Sequence, residues 1–315
     1  MNSGYAPGGK EPQSLFRRIL DHDVYYSFSR SPVTVIAAWV TFLFFFSAAA
    51  APWLTPHDPF NPASLNLMDA FKPPAWVKGG EWRFPLGTDN QGRDILATIL
   101  FGCRISLVVG FLSVLLSMVI GVTLGTFSGY VGGWIEALIM RAADIQLTIP
   151  GILVALTVDG IARSMLPREM LDHMAIYVLI LSIGIAHWPQ YARVTRSGTL
   201  VEKNKEYIAA ARIIRVPPPL IVVRHILPNV MGPTLVIATI GIALAIIIEA
   251  TLSFLGVGVP PTTPSLGTLI RIGNDFLFSG EWWITLFPVA ALVLLVLSVN
   301  LVGDWLRDVF NPKLR

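Results

Sequence analysis

The feature that most constrains this chain is a set of long stretches without any Asp, Glu, Lys or Arg. A helix needs about 20 apolar residues to cross the hydrocarbon core of a bilayer, which is about 30 Å thick. Five stretches are long enough, and they lie between Arg30 and Asp58, Arg104 and Glu136, Asp172 and Arg193, Arg224 and Glu249, and Glu281 and Asp304. We therefore predict an all-α polytopic membrane protein.

The composition supports this prediction and excludes other classes of protein. Hydrophobic residues make up 54% of the 315 residues and charged residues only 14%, whereas a soluble domain carries about 25% charged residues. Such a chain is neither a soluble globular protein nor a disordered one. The net charge of +3 is too small to indicate a nucleic-acid partner. The single cysteine and the scattered histidines have no metal-ligand spacing.

A sixth span is expected between Ile135 and Asp159. Its uncharged part, after Asp144, is too short to cross a bilayer, so the preceding turns must join it. Arg141 and Asp144 are three residues apart, and we expect them to pair on one helix face. About six spans place both termini on one side of the membrane. Lys and Arg are more numerous on that side, which favours cytoplasmic N and C termini.

The expected organisation divides the chain into five segments, one of which contains a further loop. They are a cytoplasmic N-terminal segment (1–30), a first transmembrane helix (31–56), an extracytoplasmic loop (57–101), a five-helix core (102–304) with a cytoplasmic loop (193–230), and a cytoplasmic tail (305–315). The extracytoplasmic loop is long for a connector, so we expect it to be ordered and functional. Its Gly87 and Gly92 have the spacing of a phosphate loop, but Arg93 and Asp94 replace the lysine and hydroxyl that such a loop needs.

Small residues recur every four positions in the second span. They are Ser113, Ser117, Gly121, Gly125 and Gly129. Such a ribbon lets another helix approach closely. We expect this helix to belong to the same chain, and a subunit interface is the alternative.

A short amphipathic helix is predicted in the cytoplasmic loop, over residues 204–216. Asn204 is the expected N-cap, and Pro217 ends the helix because proline lacks the backbone donor. The apolar side chains follow the helical spacing i, i+3, i+4 and i+7 at Tyr207, Ala210, Ala211 and Ile214. Such a helix suits docking into a groove of a partner protein. An interfacial helix on anionic lipid fits the same pattern equally well.

The same loop resembles the cytoplasmic loop of ABC importer permeases, in which EAA, three residues, a glycine, nine residues and IxLP follow one another. The matching positions are Ala209-Ala210-Ala211, Arg215 and His225-Ile226-Leu227-Pro228. Ala209 stands at the glutamate position and Arg215 at the glycine position. Other matching stretches are Leu86-Gly87-Thr88-Asp89, Gly92-Arg93-Asp94, Ser128-Gly129-Tyr130, Glu249-Ala250, Leu252-Ser253-Phe254-Leu255-Gly256 and Gly303-Asp304. Together they resemble the second permease subunit of the dipeptide/oligopeptide/nickel class of importers.

The resemblance implies a type I, MetI-like permease fold in the bacterial cytoplasmic (inner) membrane. It implies a subunit that forms half of the translocation pathway for peptides or similar small solutes and is not itself an enzyme. The implied partners are a second homologous permease subunit, two ATPase subunits, an extracytoplasmic solute-binding protein and the lipid bilayer. ATP and Mg²⁺ would be used by the ATPase subunits, and this chain is expected to bind no cofactor of its own.

The candidate site residues fall into three groups. The expected ATPase-docking residues are Tyr207, Ala209, Ala210, Ala211, Arg212, Ile214 and Arg215. Glu249 and Ser253 are candidates for the pathway or gate, since an ionisable residue within a span marks function. The alternative role for Glu249 is to fix the following loop by hydrogen bonds. The candidates for contact with the binding protein are Trp76, Trp82, Arg93 and Arg271, and folding of the outer loops onto the membrane domain is the alternative.

A second function remains open from the residues alone. An ion-gradient-driven secondary transporter could use Glu249 and Asp144 as an ion relay. Against it stand the lack of pseudo-symmetric halves in the sequence and the docking-type helix of the cytoplasmic loop.

Overall fold

The structure is a computed structural model that describes residues 28–55, 59–61 and 65–310. Most of the expected N-terminal segment and the end of the expected tail lie outside the described residues. The helices are α1 (Pro32–Leu54), α2 (Ile95–Val131), α3 (Gly133–Thr148), α4 (Gly151–Met165), α5 (Arg168–Glu202), α6 (Glu206–Ile213), α7 (Pro218–Ile221), α8 (Leu227–Phe254), α9 (Leu266–Asn274) and α10 (Trp283–Phe310). A π-helical segment, Val222–Ile226, joins α7 to α8. Within the described ranges the architecture is all-helical, as expected.

Five helical segments are long and apolar enough to cross a bilayer. They are Pro32–Leu54, Ile95–Val131, Met170–Glu202, Pro218–Phe254 and Trp283–Val309. Each overlaps one of the five uncharged stretches of the sequence. The pair α3 and α4 brings the number to six when it is counted as one broken span. The expectation of about six spans is therefore confirmed, although the sixth has a different form.

The expected sixth span is not one straight helix. Helices α3 and α4 meet at an angle of 101°, with the break at Ile149 and Pro150. Ile149 has extended backbone angles, φ −95° and ψ 131°, because a following proline disfavours the helical conformation. The expected pairing of Arg141 with Asp144 is also wrong. Asp144 Oδ1 instead accepts a hydrogen bond of 2.5 Å from Arg193 Nη2 on α5.

Helix α5 continues beyond Arg193, where the sequence suggested the start of a cytoplasmic loop, and ends at Glu202. The extra turns make polar contacts with the ends of α2 and α3. Arg196 forms an ion pair with Glu136, and Lys203 Nζ donates a hydrogen bond of 2.6 Å to the Gly129 carbonyl. These contacts fix the C-terminal end of α5 to its neighbours.

The small residues of α2 pack against α5 within the chain. A Cβ atom added at Gly121 would lie 2.5 Å from the Trp188 carbonyl oxygen, and one added at Gly125 would lie 2.4 Å from that of Ala192. The two backbones therefore approach more closely than any larger side chain allows. The expectation of packing within the chain is confirmed at these positions.

The outer loop between α1 and α2 is ordered over its described residues. Thr88 is buried, and its Oγ1 donates a hydrogen bond of 2.5 Å to the Asp69 carbonyl. Trp283 Nε1, at the start of α10, donates one of 3.1 Å to the Thr88 carbonyl. Asp94 then caps α2 by accepting a hydrogen bond of 3.1 Å from the Leu96 N–H. The loop is thereby attached to two spans.

Candidate functional site

Helix α6, in the loop expected to be cytoplasmic, is fixed to the rest of the chain by its inner face. Ile208 is fully buried and Ala211 nearly so. Both belong to a small apolar cluster with Ile221, Ile226 and Val230. Because Ile226 ends the π-helical segment and Val230 lies on α8, this cluster connects α6 to the base of a transmembrane helix.

The outer face of α6 differs from the stripe that the spacing suggested. Ala209 and Ala210 are exposed, and Ile213 and Ile214 have 81% and 75% of their surface exposed. Ala211 was expected in the contact stripe, but its side chain points into the chain's own core. Ile213 was not expected there and is the most exposed aliphatic residue of the helix. The exposed apolar surface is therefore Ala209, Ala210, Ile213 and Ile214.

The start of α6 is also different from the expectation. The helix begins at Glu206, with Lys205 at the N-cap position and no side-chain cap. Asn204 Nδ2 donates its hydrogen bond backwards, to the Leu200 carbonyl at 2.9 Å, so Asn204 is not the cap. The predicted helix over 204–216 is longer than the observed one at both ends.

Two flanking side chains of α6 have partners within the chain. The Tyr207 hydroxyl donates a hydrogen bond to Glu202, which ends α5. This bond to a carboxylate raises the pKa of Tyr207 to about 12. The Arg212 guanidinium lies 5.8 Å from the centre of the Tyr130 ring at the end of α2. Both contacts fix the orientation of α6 against the ends of α5 and α2.

Arg215 occupies the position at which the cytoplasmic-loop motif of ABC importer permeases has glycine. The backbone conformation at this position is one that favours glycine. Its φ is +57°, a left-handed conformation that glycine adopts most easily. The Arg215 N–H donates to the Arg212 carbonyl at 3.0 Å, and the Val216 N–H donates to the Ala211 carbonyl at 3.0 Å. The chain thus ends α6 with a left-handed residue and reverses toward α7.

Glu249 lies near the C-terminal end of α8 and is fully buried. Its Oε2 accepts a hydrogen bond of 2.7 Å from Ser106 on α2, and its Oε1 accepts one of 2.7 Å from Ser253. Ser106 Oγ also accepts a hydrogen bond of 3.3 Å from the Leu266 N–H at the start of α9. These contacts favour the role of fixing the loop over that of a carboxylate facing a pathway.

Sequence reasoning missed a second polar cluster that holds the same outer loop. Asp159 on α4 is fully buried and pairs with Arg163, four residues later, at 2.6 Å. Arg163 Nη2 also donates to the carbonyls of Val257 and Gly258, at 2.5 and 2.7 Å. The signal was the i, i+4 spacing of opposite charges in an otherwise apolar helix. Ser253, expected near the gate, is bound to Glu249 just before this loop.

The four candidates for contact with the binding protein differ in accessibility. Trp76 and Trp82 are 60% and 82% exposed, and Arg271 is exposed on α9. Arg93 is only 4% exposed, because its Nε lies 2.6 Å from Asp89 Oδ2. The expectation that Arg93 contacts another protein is wrong, since the side chain stabilises the turn that precedes α2.

The described residues include no group of three or more His, Cys, Asp or Glu side chains arranged to hold a metal ion. Two other features of the described residues stand out. They are the anchored helix α6 with its exposed aliphatic face, and the hydrogen-bonded clusters around the loop that follows α8.

Comparisons with known proteins place the chain in a family. The family model described as "Binding-protein-dependent transport system inner membrane component" matches residues 121–315. The model described as "N-terminal TM domain of oligopeptide transport permease C" matches residues 22–74. Together the two matches include most of the spans of the structure.

Relatives match over nearly the whole chain. A dipeptide transport system permease protein of Haemophilus influenzae is 38% identical over 279 residues, which are 88% of this chain and 91% of the relative. A di/tripeptide transport system permease protein of Pseudomonas aeruginosa is 34% identical over 315 residues, 100% of this chain and 99% of the relative. A dipeptide transport system permease protein of Escherichia coli K12 is 36% identical, with 93% of both chains covered. The chain belongs to the family of inner membrane components of binding-protein-dependent transport systems and is a multi-pass inner membrane permease.

Proposed function

We propose that this chain forms half of the translocation pathway of an ATP-driven importer for dipeptides or similar short peptides. The names of the relatives support the substrate class. A second homologous permease forms the other half, and an extracytoplasmic binding protein delivers the peptide. Two separate ATPase subunits use ATP and Mg²⁺, and this chain binds neither. Both termini lie in the cytoplasm.

The observation that carries the proposal is the two-sided character of α6. Its inner side chains, Ile208 and Ala211, belong to the chain's own core, while Ile213 and Ile214 are exposed. Exposed aliphatic side chains at the tip of a short, anchored helix suit insertion into a groove of another protein. We assign that groove to an ATPase subunit, with Ala209 and Ala210 allowing close approach.

Because α6 is anchored to the base of α8, a movement of α6 can be transmitted to the transmembrane helices. Closure of the ATPase pair moves α6, and the contacts of Ile208 and Ala211 with Val230 transmit the movement to α8. The far end of α8 carries Glu249, which accepts a hydrogen bond from Ser106 on α2, and Ser106 in turn accepts one from the Leu266 N–H at the start of α9. A shift of α8 as a rigid body therefore acts on the outer loop and alternates access between the two sides.

The test is transport by the complete complex in proteoliposomes after the substitution Ala210→Glu. A buried charge in the groove costs several kcal/mol, so we expect ATP-dependent uptake to fall by at least tenfold while the permease stays inserted. The matched control is Ser197→Glu, which adds the same charge at an exposed position of α5 and is expected to leave uptake unchanged. Normal uptake by the Ala210→Glu variant would contradict the docking assignment.

A second measurement separates this function from ion-gradient-driven transport. Vanadate is expected to abolish uptake, and an ionophore that collapses the ion gradient is expected to have no effect. The opposite pair of results would support the secondary transporter and overturn the proposed coupling to ATP.

A further inference from the structure

Arg104 is the cation at the edge of the long uncharged stretch of α2, and the described residues provide no acidic partner for it. It lies nine residues after the start of α2, about 14 Å along the helix, and its side chain is exposed. No ion pair or hydrogen bond joins it to another described residue. An exposed arginine at the edge of an apolar span that no described group neutralises can bind an anion.

The surroundings of Arg104 form a cavity. Arg104 lines a cavity of about 420 Å³ on the outer half of the molecule, within the size range of small-ligand sites. Its other walls come from α2, α5 and the loops before α2 and α9. The lining residues used below are Phe60, Phe101, Thr262 and Thr263.

The lining of this cavity combines polar and apolar side chains. The hydroxyls of Thr262 and Thr263 and the guanidinium of Arg104 supply hydrogen-bond donors and one positive charge. Phe60 and Phe101, with ring centres 6.0 Å apart in an edge-to-face arrangement, supply an apolar wall. The described lining contains no acidic residue, so the cavity suits a small molecule that combines a single negative charge with an apolar part.

We propose that Arg104 binds the C-terminal carboxylate of the transported peptide as the peptide enters from the binding protein. This inference rests on the proposed function, because it names the part of the substrate that the permease itself recognises. Arginine matches a carboxylate with two parallel N–H···O bonds. Every short peptide carries this group whatever its side chains, so one arginine serves peptides of many sequences.

The experiment uses the complete transporter, reconstituted with its partner permease, its ATPases and its binding protein, and radiolabelled dialanine as the probe. We expect Arg104→Gln to lower the dialanine transported per ATP hydrolysed by about tenfold, since charged hydrogen bonds are the stronger ones. Arg104→Lys keeps the charge without the two-pronged geometry and is expected to fall in between. The control Arg307→Gln removes an exposed arginine at the end of α10 and is expected to behave as the wild type.

The possible outcomes separate the inference from the proposed function. If the wild type accumulates no dialanine, the proposed substrate class fails, and the inference fails with it. If the wild type accumulates dialanine and Arg104→Gln does so equally well per ATP, only the inference fails. Loss of the partner permease from the purified Arg104→Gln complex would overturn the inference, because Arg104 would then be a contact between the two permease subunits. If the loss of transport in Arg104→Gln depends on the anionic lipid content of the vesicles, the inference is overturned, because Arg104 would then bind a lipid headgroup.

A labelling experiment tests the accessibility that the inference requires. The chain's one cysteine, Cys103, is fully buried, so it is expected to give no background with a water-soluble thiol reagent. Arg104→Cys is expected to react from the extracytoplasmic side, and dialanine-loaded binding protein is expected to slow the reaction. Absence of labelling from that side would overturn the inference, because the cavity would then be closed to substrate.

Discussion

Ser106 on α2 donates a hydrogen bond of 2.7 Å to Glu249 on α8 at a point where both side chains are fully buried. The bond joins two spans that are far apart in sequence. Ser253 occupies the other carboxylate oxygen, so the group is satisfied inside the chain. In this arrangement Glu249 positions helices and the outer loop.

The first prediction concerns Glu249. Replacement by Ala leaves the hydroxyls of Ser106 and Ser253 buried without their acceptor, which costs about 1–3 kcal/mol for each unsatisfied group. We expect a lower melting temperature of the purified complex. Glu249→Gln keeps one oxygen acceptor, so we expect a smaller loss and retained transport. A Glu249→Gln complex of normal stability that transports nothing would point instead to a carboxylate in the pathway.

The second prediction concerns the pair Asp159 and Arg163. Arg163→Leu leaves a buried carboxylate without its partner, and such losses amount to about 3–5 kcal/mol. We expect the double variant Asp159→Leu, Arg163→Leu to be more stable than Arg163→Leu alone, because both charges are removed. Thermal melting of the four proteins of this cycle measures the coupling. Additive effects of the two substitutions would show that the pair does not stabilise the structure.

The third prediction concerns Arg215. Since its φ is +57°, the substitution Arg215→Gly is expected to stabilise the protein by about 1 kcal/mol through relief of left-handed strain. The matched control Arg212→Gly lies inside α6 and is expected to destabilise it by about 1 kcal/mol. Melting of the purified permease distinguishes the two signs. A loss of stability in both variants would mean that the Arg215 side chain contributes more than its backbone conformation costs.

The fourth prediction concerns the contact between α2 and α5. Gly125→Ala would place a Cβ 2.4 Å from the Ala192 carbonyl oxygen and 2.0 Å from Thr195 Oγ1, so we expect a loss of about 1–3 kcal/mol from overpacking. At Gly232 on α8 no atom lies within 4 Å of an added Cβ. The control Gly232→Ala is therefore expected to be neutral or stabilising. Equal melting temperatures for the two variants would contradict the close approach of the helices.

The sequence alone predicted the membrane-spanning parts well for a simple reason. Charge is so costly in a bilayer that uncharged stretches of sufficient length identify spans without knowledge of their packing. The sixth span was expected to be a single helix, but Pro150 divides it into two helices at an angle of 101°. Each half is too short to cross a bilayer, so its length gave no sign of the bend. The longer reach of α5 to Glu202 was hidden because the charges after Arg193 looked like a loop, whereas they pair with neighbouring helices.

The site was only partly predictable because it depends on which side of a helix faces inward. The helical spacing fits the stripe of Tyr207, Ala210, Ala211 and Ile214. It fits equally well the face with Ile208 and Ala211, which the structure buries. Only the packing of that face against Ile226, which is distant in sequence, decides between the two. Arg93 looked like a surface cation, although Asp89 four residues earlier neutralises it. Contacts between residues that are far apart in sequence, such as Ser106 and Glu249, cannot be predicted from local residue spacing.

Crosslinking from α6 in the assembled transporter tests whether this helix docks into an ATPase subunit. Ala210→Cys, coupled to a short photoreactive reagent, is expected to form a product with an ATPase subunit, since Ala210 is exposed on the outer face of the helix. Ala211→Cys, one residue later and turned into the core, is the matched control and is expected to form none. Crosslinking of Ala210→Cys to no ATPase subunit, or its modification by an impermeant reagent from outside the cell, would contradict the account.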